Sequence, residues 1–232
     1  MTVLEMCGTV KYQKNEIETC PVKAIETEAV ENEHHQRLLE GMSHAVAGRG
    51  YAETTIADIV REAAVSRRTF YEHFATKAEC LVALYEAASH NALKVLKGAI
   101  DPSHEWQAQV EQALAAYLAC MASNPVLMRT LFVEILGLGA QGLAARRRVN
   151  QEIADFMLDV INAPSVARLE SGGSARHGAR NAHAPLSPGM AMAVVGGINE
   201  LVLQYIEQDR VAQLQELVAP ASRLVRAAAA AV

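Results

Sequence analysis

Eight side chains between residues 55 and 77 carry the clearest chemistry in this chain: Thr55, Ser66, Arg67, Arg68, Thr69, Tyr71, His73 and Lys77. Arginine reads guanine edges through its two-pronged guanidinium. Hydroxyls, imidazole and ammonium groups bind phosphate oxygens or base edges. Together these groups suit a phosphate-lined groove. The competing reading is an ordinary helical hairpin with a solvated basic face.

The elements that would position them are legible in TIADIVREAAVSRRTFYEHFATK, residues 55–77. Thr55 is a good N-cap, and Ile56, Ile59, Val60 and Ala63 recur at the spacing of one apolar helical stripe. Ala64 and Val65 make a break. Ser66 caps a second short helix, Arg67 to Phe74, whose Phe70 and Phe74 share one face and leave the polar residues to the others. Two helices joined so tightly cross steeply, which frees the second to enter a major groove.

The run Gly50-Tyr51, Thr54-Thr55-Ile56, Ile59, Ala63, Val65-Ser66, Thr69-Phe70-Tyr71, His73-Phe74 and Lys77 strongly resembles the DNA-binding domain of TetR-family transcriptional regulators. The likeness spans about Gln36 to Leu96 without gaps; Arg68 stands where the family often has glycine. The resemblance implies an all-α protein of about nine helices, with a three-helix DNA-binding head at residues 34–80 and a ligand-binding and dimerisation body at 81–232. It further implies double-stranded DNA with a palindromic operator as partner, homodimerisation, and release by a small molecule, in most cases as a repressor. Ser66, Arg67, Arg68, Thr69 and His73 would approach bases or nearby phosphates, while Thr55, Tyr71 and Lys77 would hold the DNA backbone.

Composition agrees with a helical chain. Of 232 residues, 51% are hydrophobic but only 5% aromatic, a profile rich in Ala, Leu and Val. No apolar run approaches the ~20 residues of a membrane span, and the acidic start does not resemble a signal peptide, so the expected location is cytoplasmic. The net charge of −5 is unevenly spread: residues 1–33 hold three lysines and seven glutamates, whereas 34–97 hold eight Lys/Arg against seven Asp/Glu. Local charge, not the total, governs contact with a polyanion. Residues 1–33 read as an acidic, flexible extension.

Cys7, Cys20, Cys80 and Cys120 show no CxxC spacing, so neither a disulfide framework nor a zinc site is expected. Cys80 and Cys120 fall in apolar helical patterns. The long helix from Lys77 to about Lys97 suits a lever. Further helices are read over about Glu105–Ala122, Asn124–Leu136 and Leu143–Ile161, followed by a Gly/Ser/Arg-rich connection over 162–188. Two last helices cover about Gly189–Gln208 and Ala212–Ala231.

Trp106, Tyr117, Met121, Met128, Phe132 and Phe156, with Asn199, are the candidates for an apolar effector pocket, because aromatics and methionines line adaptable cavities. An ordinary core is the alternative. Val195, Val202, Leu203 and Ile206, then Leu214, Leu217, Ala221 and Leu224, form stripes on the last two helices. They either complete the monomer core or, as the resemblance implies, build a four-helix bundle with a second copy. Gly137 to Gly142 satisfies GxGxxG, the mark of a nucleotide-dependent enzyme; Leu131 to Leu136 upstream could pass for a strand, but no other run reads as one, and that fold needs a parallel sheet. No catalytic constellation, metal site or cofactor is expected; a helical interaction protein is the remaining alternative.

Overall fold

The computed structural model describes residues 22–163 and 185–230, which contain helices and no strand. Nine α-helices follow in order: α1 Val22–Glu53, α2 Ile56–Ala63, α3 Arg67–His73, α4 Lys77–Gly98, α5 Trp106–Ala122, α6 Pro125–Phe132, α7 Ala140–Ile161, α8 Pro188–Glu207 and α9 Val218–Ala230. Two 3-10 helices, Glu134–Leu138 and Val211–Leu217, lie between α6 and α7 and before α9. Of the extension expected over 1–33, residues 1–21 lie outside the described residues and 22–33 lie within α1; most of the expected connection, residues 164–184, also lies outside them.

The chain divides into two compact units. The first comprises the described residues up to Ala88 together with Thr130–Gly142; the second comprises Ser89–Arg129 and the rest from Leu143.

In the first unit α1 packs across α2, and α3 leans on both. The crossing depends on Gly41. A Cβ there would lie 2.7 Å from the carbonyl oxygen of Ile59 and 2.8 Å from the amide nitrogen of Ala63, closer than atoms tolerate, so only glycine lets the two backbones meet. Leu38, Met42, Ile59, Phe70, Leu81 and Leu84 fill the core and are all but fully buried. Burying one such side chain contributes about 1.5–3 kcal/mol. Gly50, at φ +77° and ψ 162°, breaks α1, as its sequence position leads one to expect.

In the second unit α5, α7, α8 and α9 share one core, built from Val110, Leu114, Ala154, Val194, Ile198 and Val225 among others. Asn162 closes it at one end: its side-chain amide donates to the Leu186 carbonyl at 3.2 Å and accepts from the Leu186 N–H at 2.8 Å. Ser187 then caps α8 through the N–H of Met190.

Several helix limits differ from those read in the sequence. α1 is already helical at Val22. α6 stops at Phe132, a 3-10 helix spans Glu134–Leu138, and Gly139, with a positive φ of 56°, ends it. The last helix is likewise 3-10 up to Leu217 and α-helical only from Val218. Pro220 has no N–H to give to residue 216, so it fits the first turn of a helix and not its interior. α8 also corrects the expectation about apolar runs, since by length and composition it could cross a membrane. One face of α8, with Ala191, Val194, Val195, Ile198, Val202 and Ile206, is buried in the core.

Candidate nucleic-acid interface

The residues of the candidate interface are held by two capped helices and the turn between them. Thr55 and Asp58 form a reciprocal capping box: the Asp58 N–H donates to the Thr55 hydroxyl at 3.2 Å, and the Thr55 N–H donates to the Asp58 carboxylate at 3.0 Å. The Thr55 hydroxyl also donates to that carboxylate at 2.6 Å. Such a box satisfies two of the orphan donors that open a helix. Arg61 adds an ion pair to Asp58 at 2.9 Å and Arg49 stands 3.7 Å away. These hydrogen bonds, from Thr55 first and then Arg61, hold the Asp58 carboxyl down at about 2.

α2 ends at Ala64, which adopts the left-handed conformation at φ 50° and ψ 44°. Arg37 of α1 reaches over this end. Its Nε donates to the Ala63 carbonyl at 3.0 Å and its Nη2 to the Ala64 carbonyl at 2.7 Å. A guanidinium at a helix C-terminus both satisfies free carbonyls and opposes the negative end of the dipole.

Ser66 then caps α3, accepting from the Thr69 N–H at 3.0 Å, with the two hydroxyls 2.8 Å apart. Phe70 and Phe74 are buried with ring centroids 5.9 Å apart and anchor the underside of α3. On the other side Arg67, Arg68 and Tyr71 are exposed, Tyr71 by 52%. Arg67 makes no hydrogen bond or ion pair with the described residues. Arg68 is paired with Glu72 at 2.9 Å, a solvent-exposed pair of small net value that an incoming phosphate can displace.

The structure thus gathers Ser66, Arg67, Arg68, Thr69 and Tyr71 at one short helix, and it places three of the sequence candidates differently. His73 is half-buried against α1, with its ring 5.8 Å from His35 and 6.5 Å from His34. Burial, and then His73, holds the His35 imidazole below its ordinary value. Thr55 spends its hydroxyl inside the capping box.

Lys77 does not point along its own helix. A cation at a helix N-terminus opposes the dipole there, and its ammonium instead caps the end of α1, donating to the carbonyls of Tyr51 and Thr54 at 2.7 Å each. It also lies 4.1 Å above the Tyr51 ring. The sequence reading passed over Arg37 and Asp58. Asp58 was marked by the Thr-x-x-Asp spacing of a capping box; nothing local marked Arg37.

The remaining candidates lie in the second unit, apart from Phe132. Trp106, Tyr117, Phe156 and Asn199 line a shared apolar cavity. Met121 and Met128 do not: both are buried elsewhere in the packing, and Phe132 belongs to the first unit. Of the stripe read as a dimer surface, Val195, Val202, Ile206, Leu214, Leu217 and Ala221 are buried within this one chain, Leu203 is half-buried, and Leu224 is exposed. Six of these eight residues therefore lie in the chain's own core, and Leu203 and Leu224 retain surface on which a partner could pack.

Within Gly137 to Gly142, packing accounts for Gly142 and a positive φ for Gly139, while a Cβ on Gly137 would meet nothing within 4 Å. Gly142 sits in the first turn of α7 with its Cα against the carbonyl of Ile135, where a side chain has no room, and no strand precedes it among the described residues. Burial pushes the Cys80 thiol up to about 12, which makes it a protonated core residue and not a nucleophile.

A capped helix, a tight turn and a second capped helix braced on a third define a helix-turn-helix protein. Residues 42–84, which hold the helix-turn-helix, match the family model for bacterial regulatory proteins of the tetR family. An uncharacterised HTH-type transcriptional regulator of Bacillus subtilis, YxbF, is 32% identical over 77 residues, covering 33% of this chain and 20% of its own length. The chain therefore spans about a fifth of that curated relative. Solved structures extend the likeness of fold to most of the chain. The fatty acid degradation regulator FadR of Bacillus halodurans superposes with a TM-score of 0.65 at 14% identity, covering 82% of this chain and 97% of that one. FadR of Bacillus subtilis, solved in complex with stearoyl-CoA, gives 0.61 at 15% over 82% and 97%. TetR of Rhodobacter sphaeroides gives 0.60 at 22%, again over 82% and 97%.

Proposed function

We propose that this chain is a transcriptional repressor that binds a palindromic operator as a homodimer and is released by an apolar small molecule. The observation that carries the DNA reading is α3 itself: its Phe70 underside is fully buried while Arg67 and Tyr71 face solvent. A helix fixed on one side and presenting a free guanidinium on the other is what direct readout of a major groove requires. Arg67 and Arg68 reach base edges, and Ser66, Thr69 and Tyr71 hold phosphates and set register.

Homodimerisation rests on the outward face of the last helices. Met190, Ala193 and Gly196 of α8 and Leu224 of α9 are exposed, and a Cβ on Gly196 would meet nothing within 4 Å. A glycine costs about 1 kcal/mol against alanine in a helix interior. Nothing among the described residues explains that cost, whereas a close-packed second copy does. The apolar cavity supports an effector site, as does the stearoyl-CoA bound by the B. subtilis FadR. An effector acts here only through unequal affinity for the DNA-binding and released arrangements.

The test is selection of bound duplexes from random DNA with the purified full chain. The reading requires an enriched inverted repeat, bound by two copies with a strong salt dependence. Enrichment of no sequence would leave a helical interaction protein in its place.

A further inference from the structure

An acidic side chain stands at the foremost point of α3. With 3.6 residues per turn, Arg68 and Glu72 both fall about 160° around the helix axis from Phe70, the fully buried anchor. They are therefore the side chains of α3 that project farthest from the head: that of Arg68 is 89% exposed and that of Glu72 53%. A carboxylate in this place repels the phosphates that flank a groove, which raises the cost of approach to DNA.

The bond that Glu72 makes supplies a reason for its presence. The Arg68 Nε donates to the Glu72 Oε1 at 2.9 Å, and neither Nη nitrogen of Arg68 has a partner among the described residues. The carboxylate thus occupies the side of the guanidinium and leaves its end free. Nη1 and Nη2 there present two parallel N–H groups, a fork that fits the O6 and N7 of guanine. Arg67 has no brace of this kind among the described residues. In water one exposed pair contributes little. A groove that excludes water strengthens it, because the charges then interact in a lower dielectric.

We propose that Glu72 is a positioning residue for base readout: it holds Arg68 end-on toward one guanine in each half-site and cancels its pull on phosphates. This rests on the DNA reading above and adds the side chain that sets its selectivity. An unbraced arginine is a mobile cation that serves any phosphate. A braced one gives up less freedom on meeting a base, and as half of a neutral pair it gains little from the backbone.

The experiment selects duplexes from random DNA with the purified full chain and with its Arg68→Ala, Glu72→Ala and Glu72→Gln variants. Binding to the wild-type operator and to a scrambled duplex is then measured across a salt series. Arg68→Ala marks the position that Arg68 reads, by losing the guanine there. Glu72→Ala should blur that same position and bind scrambled DNA more tightly, with a salt slope steeper by about 1 per half-site. Its ratio of scrambled to operator dissociation constants should fall about tenfold, the worth of one bidentate base contact. Glu72→Gln keeps an acceptor for Nε and drops the charge, so it should recover the guanine while retaining the steeper slope.

Tighter binding of Glu72→Ala to every duplex, with the guanine intact, would mean that phosphates displace the pair, and the assignment would fall. It would fall equally if Glu72→Ala altered a position that Arg68→Ala leaves untouched, since Glu72 would then read a cytosine amino group directly. Variants that select the wild-type sequence with unchanged affinities would make the pair an idle surface contact. Enrichment of no sequence by the wild-type chain would instead remove the DNA reading itself.

Discussion

The carboxylate of Glu134 accepts the backbone N–H of Tyr51 at 3.1 Å, across 83 residues of sequence. Tyr51 follows Gly50, the break in α1, and its carbonyl is in turn held by the Lys77 ammonium at 2.7 Å. One peptide segment is thus gripped on both sides, by an anion at its N–H and a cation at its C=O. This junction gives Thr130–Gly142 its hold within the first unit.

Removing the anion should loosen that grip. Glu134→Ala is expected to lower the stability of the first unit by about 1–2 kcal/mol, the range for a partly exposed hydrogen bond to a charged group. Glu134→Gln, which retains an acceptor, should cost less. Urea denaturation gives the energies, and hydrogen exchange at the Tyr51 amide should accelerate in Glu134→Ala before that of the α2 amides. Unchanged exchange at Tyr51 would show the contact to be idle.

Gly41 and Gly48 both belong to α1 but should respond oppositely to alanine. A methyl at Gly41 collides with the backbone of Ile59 and Ala63, whereas one at Gly48 meets nothing within 4 Å. Gly41→Ala should therefore destabilise by about 1–3 kcal/mol through overpacking, while Gly48→Ala should be neutral or stabilise by up to about 1 kcal/mol. Thermal unfolding of the two variants side by side decides it. Equal shifts would mean that α1 and α2 cross elsewhere.

Asp58 gives the head a dependence on acid. Its folded pKa of about 2 lies below the free value of 3.8, so folding favours the ionised form. Its contribution is therefore complete above the free value and is lost as pH falls through about 2. His35 acts earlier and in the same direction. Its pKa is lowered from 6.5, so its protonation opposes folding as the pH drops below that value. Asp58→Asn should lower stability at neutral pH and flatten the acid limb of the curve, and His35→Gln should remove the earlier decline. Acid titration by circular dichroism measures both.

What the sequence disclosed and what it concealed follow from distance along the chain. The helix-turn-helix was legible because its determinants are local: the Thr55 and Ser66 caps and the Phe70/Phe74 pair lie within three or four residues of what they act on. Arg37 on Ala63, and Glu134 on Tyr51, join residues 26 and 83 apart, and no periodicity encodes such pairings. Lys77 was recognised, but its direction was not, since a residue's position does not say which helix end its ammonium will reach. The stripes on α8 and α9 show a related limit. An amphipathic pattern reveals that a face is covered without revealing by what, and here the cover is the chain's own core.

On DNA, the exposed and the committed side chains should separate. Arg67→Ala should relax base preference at one position of each half-site, with a loss of about 1–3 kcal/mol confined to the preferred sequence. Tyr71→Ala should weaken binding on all sequences alike. Lys77→Met should lower thermal stability along with affinity and leave the salt slope nearly intact, because the ammonium serves two carbonyls within the head. A slope reduced by about 1 would assign Lys77 a phosphate after all. Binding measured across a salt series, on specific and scrambled duplexes, resolves all three.

Gly196 tests the proposed dimer by the sign of its effect. Within a single chain the position is open, so Gly196→Ala should raise the stability of the monomer by up to about 1 kcal/mol through helix propensity. If a second copy packs closely on that face, the same methyl falls between two backbones and should raise the dimer dissociation constant by about tenfold or more. Val202→Ala is the control, because Val202 is fully buried in its own chain: it should lower stability and leave the association of folded chains unchanged. Sedimentation equilibrium and thermal unfolding on the same samples separate the two effects. A Gly196→Ala protein that is more stable and equally dimeric would move the interface off α8.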